Sequence, residues 1–157
     1  MRIPKEEREF HRKIAARSFN GTWEYLDMKK RTKEDDQEML HLAHASRYHW
    51  GLIGTPRNRA VGDWLLSRVY ADMGQPELSL RFAESSLALC KENRLADIVH
   101  TANEAMARAY AVSRNYPRAK RYLDEARRQL DGLKLSKADK AVYLNQIEQT
   151  GRLIGKH

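Results

Sequence analysis

The spacing of turn signals constrains the fold of this chain more than any other feature. Gly54-Thr-Pro56, Gly74-Gln-Pro76, Asn93, Asn115-Tyr-Pro117 and Asp131-Gly132 punctuate the sequence, and residues of these types end one element and start the next. Between them lie stretches of about 15–20 residues in which apolar side chains recur at helical intervals, the length and period of globular helices. The pattern predicts helices over 5–17, 34–53, 57–73, 76–92, 96–114, 117–131 and 137–154. No stretch alternates as a strand does, so the expected fold is all-α with six to seven helices. Thr32, with Asp35 three residues on, makes a capping-box-like start for the second helix. The stretch 18–33, SFNGTWEYLDMKKRTK, has no clear period and reads as an irregular connection. The expected organisation is a single unit overall, with an N-terminal helix and connection over 1–33 and a helical repeat domain over 34–157.

A chain of 157 residues is long enough to bury a core without staples. It contains no apolar run of membrane-spanning length, and its N-terminal stretch MRIPKEEREFHRK is charged where a secretory signal needs an apolar segment, so secretion by that route is not expected. A single cysteine, Cys90, cannot close an internal disulfide, which suits a reducing compartment. A cytoplasmic location and no membrane association are the expectations. The net charge of +8 is unevenly placed: residues 1–33 and 116–157 each carry +5, residues 34–56 carry −3 and residues 57–115 carry +1. Basic ends can steer an anionic partner or act as solvated, solubilising surfaces.

Internal repetition is visible as well. Tyr70-x3-Gly74-x-Pro76 matches Trp50-x3-Gly54-x-Pro56, an aromatic residue closing one helix before a tight turn. From Tyr110 the run YAVSRNYPRAKRYLDEA follows with Tyr116, Ala119 and Ala126, the two alanines standing where the Tyr70 copy has the small residues Ser79 and Ser86. Small side chains there let antiparallel helices approach closely. The residues Leu66, Ser67, Tyr70, Gly74, Ser79, Ala83 and Ser86, and in a second copy Met106, Ala107, Tyr110, Tyr116, Ala119, Leu123 and Ala126, resemble the tetratricopeptide repeat. The resemblance covers roughly residues 57–131, and the stretch around AHASRYHW is similar to small bacterial proteins of the same class. Tyr70 and Tyr110 are 40 residues apart, longer than the standard repeat, and Arg114 stands where the turn glycine belongs.

The resemblance implies a short right-handed α-solenoid of antiparallel helix pairs and a groove lined by the first helix of each pair. Counting from the motif tyrosines, Trp64 and Arg68 in one copy and Thr101, Glu104 and Arg108 in the other face that groove. Two arginines with a Trp and a Glu suit an acidic or C-terminal peptide segment; equally, Arg68 and Glu104 can pair across neighbouring helices. In this register the helix over 34–53 is a second helix and lies off the groove. Its own ending at Trp50 reads instead like a first helix, which would place His41, His44 and Tyr48 on the concave side. The Tyr110 copy favours the first register.

The stretch HLAHASRYHWGLIGTP, residues 41–56, holds three of the six histidines. On a helical wheel Met39, Ala43, Ser46, Trp50 and Ile53 form a core stripe, and His41, His44, Tyr48 and His49 fall on the opposite arc. Four uses compete: packing beneath the aromatics of 18–33, a ligand or peptide groove, a metal site from Glu38, His41 and His44, and catalysis. The reading adopted is a packing and recognition surface, with Trp50 in the core and His41, His44 and Tyr48 lining a pocket partly closed by 18–33. Glu38, His41 and His44 spread over about 120° of helix surface, so no metal and no cofactor are expected.

No nucleophile accompanies the histidines, and no GxGxxG, Walker, CxxC or HExxH motif is present, so no catalytic residues are assigned. Cys90, beside Leu87 and Ala83, reads as a buried small hydrophobe. The basic residues of 117–131 read as a solvated face interspersed with Asp124 and Glu125. The functional expectation is a non-enzymatic scaffold that binds a protein or peptide through Trp64, Arg68, Glu104 and Arg108, with His41, His44 and Tyr48 as a second surface. The alternatives are a nucleic-acid or polyanion binder using the basic ends, and a histidine-cluster metal or small-ligand binder. Oligomeric state is left open.

Overall fold

The computed structural model describes residues 2–155. Seven helices follow in order: α1 (Lys5–Leu26), α2 (Lys33–Ile53), α3 (Pro56–Asp72), α4 (Pro76–Glu92), α5 (Val99–Val112), α6 (Tyr116–Asp131) and α7 (Lys137–Ile154). Among the described residues there is no strand, and no helix is long and apolar enough to cross a membrane. The boundaries follow local chemistry. Thr32 and Asp35 close a reciprocal capping box at 3.1 Å and 2.9 Å, satisfying backbone donors that the first turn leaves free. Pro56, Pro76 and Pro117 open α3, α4 and α6, where a missing N–H costs nothing and φ is already helical.

Three turns share one geometry. Gly74, Arg94 and Arg114 take the left-handed conformation, with φ of 71°, 54° and 63°. After each, the next amide bonds a carbonyl five residues back: Gln75 to Tyr70 at 2.9 Å, Leu95 to Cys90 at 2.9 Å and Asn115 to Tyr110 at 2.9 Å. These bonds satisfy helix-terminal carbonyls. Arg114 therefore makes the same turn as Gly74 despite its side chain.

The helices pack as hairpins, α1 with α2, α3 with α4 and α5 with α6, and α7 closes the end against α5 and α6. Short connections between packed neighbours make each pair antiparallel. The odd-numbered helices also touch one another, α1 to α3, α3 to α5 and α5 to α7, whereas among the described residues the backbones of the even-numbered helices stay apart, and α2 meets α4 through side chains such as His44 on Phe82. The odd helices therefore form the inner layer of a curved stack and α2, α4 and α6 the outer layer.

Equivalent seam residues recur every 40 positions in the outer helices. Met39, Ser79 and Ala119 form one set, Ala43, Ala83 and Leu123 a second, and Ser46, Ser86 and Ala126 a third; all are buried. Ser46 donates to the Ala15 carbonyl at 2.9 Å and Ser86 to the Ala60 carbonyl at 2.7 Å. Small residues bring the backbones together and these hydroxyls spend their donors on the facing helix. Stacked aromatics repeat the same interval: Tyr70 on Phe82 and Tyr110 on Tyr122, both at 5.6 Å.

The central helix α3 is buried continuously from Gly62 to Ala71 because it meets α1, α2, α4 and α5. Leu65, Leu66 and Val69 are fully enclosed, each contributing about 1.5–3 kcal/mol of burial. At Gly62 a Cβ would stand 2.7 Å from Arg47 Cδ. The bare backbone there lets Arg47 cross α3 and bond Asp63 at 2.7 Å, while Ser85 of α4 takes the other carboxylate oxygen at 2.7 Å.

The irregular connection expected over 18–33 is a correction. Helix α1 continues to Leu26 and packs along α2. The buried stripe of this stretch is Ala15, Ser18, Thr22 and Leu26. Two of its four members are small and polar, which hides the apolar period although the helix is regular.

Candidate functional site

Two adjoining cavities open on the inner layer. One, of about 250 Å³, lies between α1, the end of α2 and the start of α3, against Phe19, Asn20, Trp50, Asn58 and Val61. The other, of about 260 Å³, is bounded by four odd helices and their approach turns: Phe19 and Trp23 of α1, Val61 and Trp64 of α3, Thr101 of α5, and Val142, Tyr143 and Gln146 of α7. Phe19 and Val61 border both cavities, so they form one trough with a shared wall. Trp23 and Trp64 lie 5.7 Å apart in tilted contact at its base. At the rim, Arg57 Nη2 donates to both carboxylate oxygens of Asp97, each at 2.7 Å.

Beneath the trough lies a buried polar cluster. Glu104, 2 % exposed, receives Arg108 Nε at 3.0 Å and Thr150 Oγ1 at 2.6 Å on one carboxylate oxygen, and Trp64 Nε1 at 3.3 Å on the other. Arg68 bonds Asp72 at 3.3 Å and Gln149 at 3.1 Å and lies 5.7 Å from the Trp23 ring. Burial and the nearby Arg108 push the Arg68 pKa down, opposed by Asp72 and Glu104.

The odd helices do bring Trp64, Arg68, Glu104 and Arg108 to one face, but their expected role as an open groove is corrected. All four are buried. Helix α7 supplies Gln149 and Thr150 as their partners and α1 supplies Trp23, because curvature folds the first and last helices over the middle of the face. Of the four, Trp64 borders the second cavity, and Arg68 bonds Asp72 and Gln149 rather than Glu104. Thr101 lines the second cavity.

The histidine helix α2 is the outer member of its pair, the register favoured by the Tyr110 copy. Its pocket is a second correction. Residues 18–26 pack as helix on the core stripe of α2, not on its histidine side. His41 is exposed and Tyr48 is 64 % exposed. His44 sits against the Tyr70 and Phe82 rings and its Nε2 pairs with the Tyr70 hydroxyl at 2.9 Å; burial and then His41 hold its pKa down. Trp50 is half-buried and borders the first cavity rather than closing the core. His49 pairs with His11, 38 residues upstream, a contact for which the spacing of HLAHASRYHW carries no signal.

Among the described residues, no group of three or more His, Cys, Asp or Glu side chains is arranged to hold a metal. Cys90 is buried and its thiol is pushed up to about 11 by that burial, which keeps it un-ionised at neutral pH. His100 is 1 % exposed and lies edge-on to Tyr143 at 4.6 Å. Its Nε2 has no hydrogen-bond partner, and burial lowers its pKa. Sequence reasoning missed Phe19, Val61 and Tyr143; their signal is an aromatic or β-branched residue on the same helical face as Trp23, Trp64 and Gln146. Comparison of the chain with family models, with curated proteins and with solved structures gives no match.

Proposed function

We propose that this chain is a non-enzymatic scaffold of the tetratricopeptide-repeat type, binding a segment of another protein in the trough on its inner layer. The observation that carries this reading is the pair of adjoining cavities walled by Phe19 and Val61. Each is somewhat below the usual 300–1,000 Å³ of small-molecule sites, a size suited to one large side chain. Two such holes along one trough suit a segment presenting two apolar anchors, with Arg57 and Asp97 at the rim able to bond its backbone or flanking charges. The net charge of +8 favours an acidic partner during approach.

Panning a random peptide library against the protein tests this reading. Enriched sequences carry paired apolar or aromatic residues, and they lose binding to an Asn20→Trp, Val142→Glu double variant. Both side chains border the cavities and are exposed, so the substitutions block the trough without entering the core. Peptides that bind the double variant as well as the parent protein refute the trough. Salt-sensitive retention on heparin, unchanged by the double variant, favours instead a polyanion-binding role for the basic ends.

A further inference from the structure

We infer that His11 and His49 form a two-histidine site for a divalent transition-metal ion, closing the end of the seam between α1 and α2. The seam itself explains the placement. His11 continues the α1 stripe of Ala15, Ser18 and Thr22, which is closely packed on Met39, Ala43 and Ser46 of α2. Where that stripe ends, two imidazoles meet instead of two small side chains. Their Nδ1 atoms are 2.8 Å apart, with ring centroids at 5.0 Å and planes tilted by 37°. The two nitrogens therefore face each other.

Glu7, one helical turn before His11, places Oε1 3.6 Å from the opposite ring nitrogen, His11 Nε2. A carboxylate on that side favours the Nε2–H tautomer and leaves the Nδ1 lone pair free, the arrangement by which carboxylates orient metal-binding histidines. Without metal, His49 supplies the single proton shared between the two Nδ1 atoms. With metal, His49 carries its proton on Nε2 and both Nδ1 lone pairs take the ion; no net proton or electron transfer is needed.

Metal–nitrogen bonds of about 2.0–2.1 Å put two ligand nitrogens about 2.9–3.3 Å apart, close to the 2.8 Å hydrogen-bonded separation of the two Nδ1 atoms, so an ion replaces the shared proton with only a small movement of the rings. Among first-row divalent ions, nitrogen ligands bind Cu²⁺ most strongly. His11 keeps 14 % of its side chain accessible, and Phe10 and Tyr48 stand exposed beside the pair at 5.9 Å and 5.4 Å from the adjacent rings. The ion thus has an entry path, and water fills its remaining positions.

Calorimetric titration of the metal-stripped full chain with CuCl₂, NiCl₂ and ZnCl₂ tests the inference. The wild type and a His41→Gln, His44→Gln control each bind one equivalent of Cu²⁺ and of Ni²⁺. His11→Gln and His49→Gln each lose that equivalent, and Glu7→Gln binds roughly tenfold more weakly. Metal also raises the melting midpoint of the wild type and not of the two ligand variants. Far-UV circular dichroism without metal identifies the variants that keep the fold, and Glu7→Gln, on an exposed side chain, provides a reading that does not disturb the seam. A wild type with no stoichiometric binding overturns the site, as does a folded His11→Gln or His49→Gln that binds like wild type.

Discussion

Thr150 Oγ1 lies 2.6 Å from Glu104 Oε1, and this contact fastens the last helix to the centre of the stack. The same carboxylate holds Arg108 and Trp64, so one buried side chain joins α3, α5 and α7. Burying an ion pair brings little net stability, but removing one partner strands the other, at a cost of about 3–5 kcal/mol. Glu104→Ala should therefore destabilise by about that amount, since Arg108 is 5 % exposed. Thr150→Val deletes one hydrogen bond to a charged group and should cost about 1.5–3 kcal/mol. Urea unfolding of the two variants checks the order; a Glu104→Ala variant no weaker than Thr150→Val contradicts this account of the cluster.

The helices were legible because Gly, Pro and Asn mark their ends and because most buried stripes are apolar. The stripe of α1 is not, with Ser18 and Thr22 buried, and periodicity lost the helix there. Trp64, Arg68, Glu104 and Arg108 share a face, as counting from Tyr70 and Tyr110 indicates. What covers that face depends on how strongly the stack curves. Curvature arises from packing angles summed over several helices, and Gln149 meeting Arg68 across 81 residues leaves no mark in local spacing. The wheel likewise separated the histidines from the core stripe of α2, but not their partners: Tyr70 for His44 and His11 for His49.

The turns offer a matched pair of tests. Gly74 and Arg114 occupy equivalent left-handed positions, which cost an L-residue about 1–2 kcal/mol. A Cβ at Gly74 meets nothing within 4 Å, so Gly74→Ala should lose about 1 kcal/mol through backbone strain alone. Arg114→Gly relieves the strain but frees the unfolded chain, a counter-effect of about 0.4–1 kcal/mol. It should be neutral to stabilising by about 1 kcal/mol. Opposite signs in thermal melts support the shared geometry, and loss of stability in Arg114→Gly contradicts it.

The outer seam is tight enough that added volume should be felt. Ser46 and Ser86 are enclosed and bond carbonyls of the facing helices, while Ala126 holds the third equivalent place. Ser86→Leu should cost about 1–3 kcal/mol by overpacking and more by stripping the Ala60 carbonyl of its donor. Ser86→Ala should cost only about 0.5–1.5 kcal/mol. Equal losses for the two substitutions, read as urea midpoints, would show that helix approach at this position is not limiting.

Acid should weaken the fold through His100. Its pKa is lowered from the ordinary 6.5, first by burial, against opposing contributions from Asp97 and Glu104. In the unfolded chain the imidazole takes a proton as pH falls through about 6.5, while the folded chain resists until lower pH. The unfolded state then binds more protons, so stability falls with pH over that interval. The contribution is fully present above the unfolded value and is lost as pH drops from there to the folded value, below which the effect levels off. His44 is shifted in the same direction by burial and His41 and adds to the slope. Replacing His100 with Phe keeps a ring against Tyr143 and removes the titrating group. Urea midpoints measured from pH 7.5 to pH 4.5 should therefore fall less steeply for His100→Phe than for wild type, and parallel profiles would remove His100 as a source of the acid sensitivity.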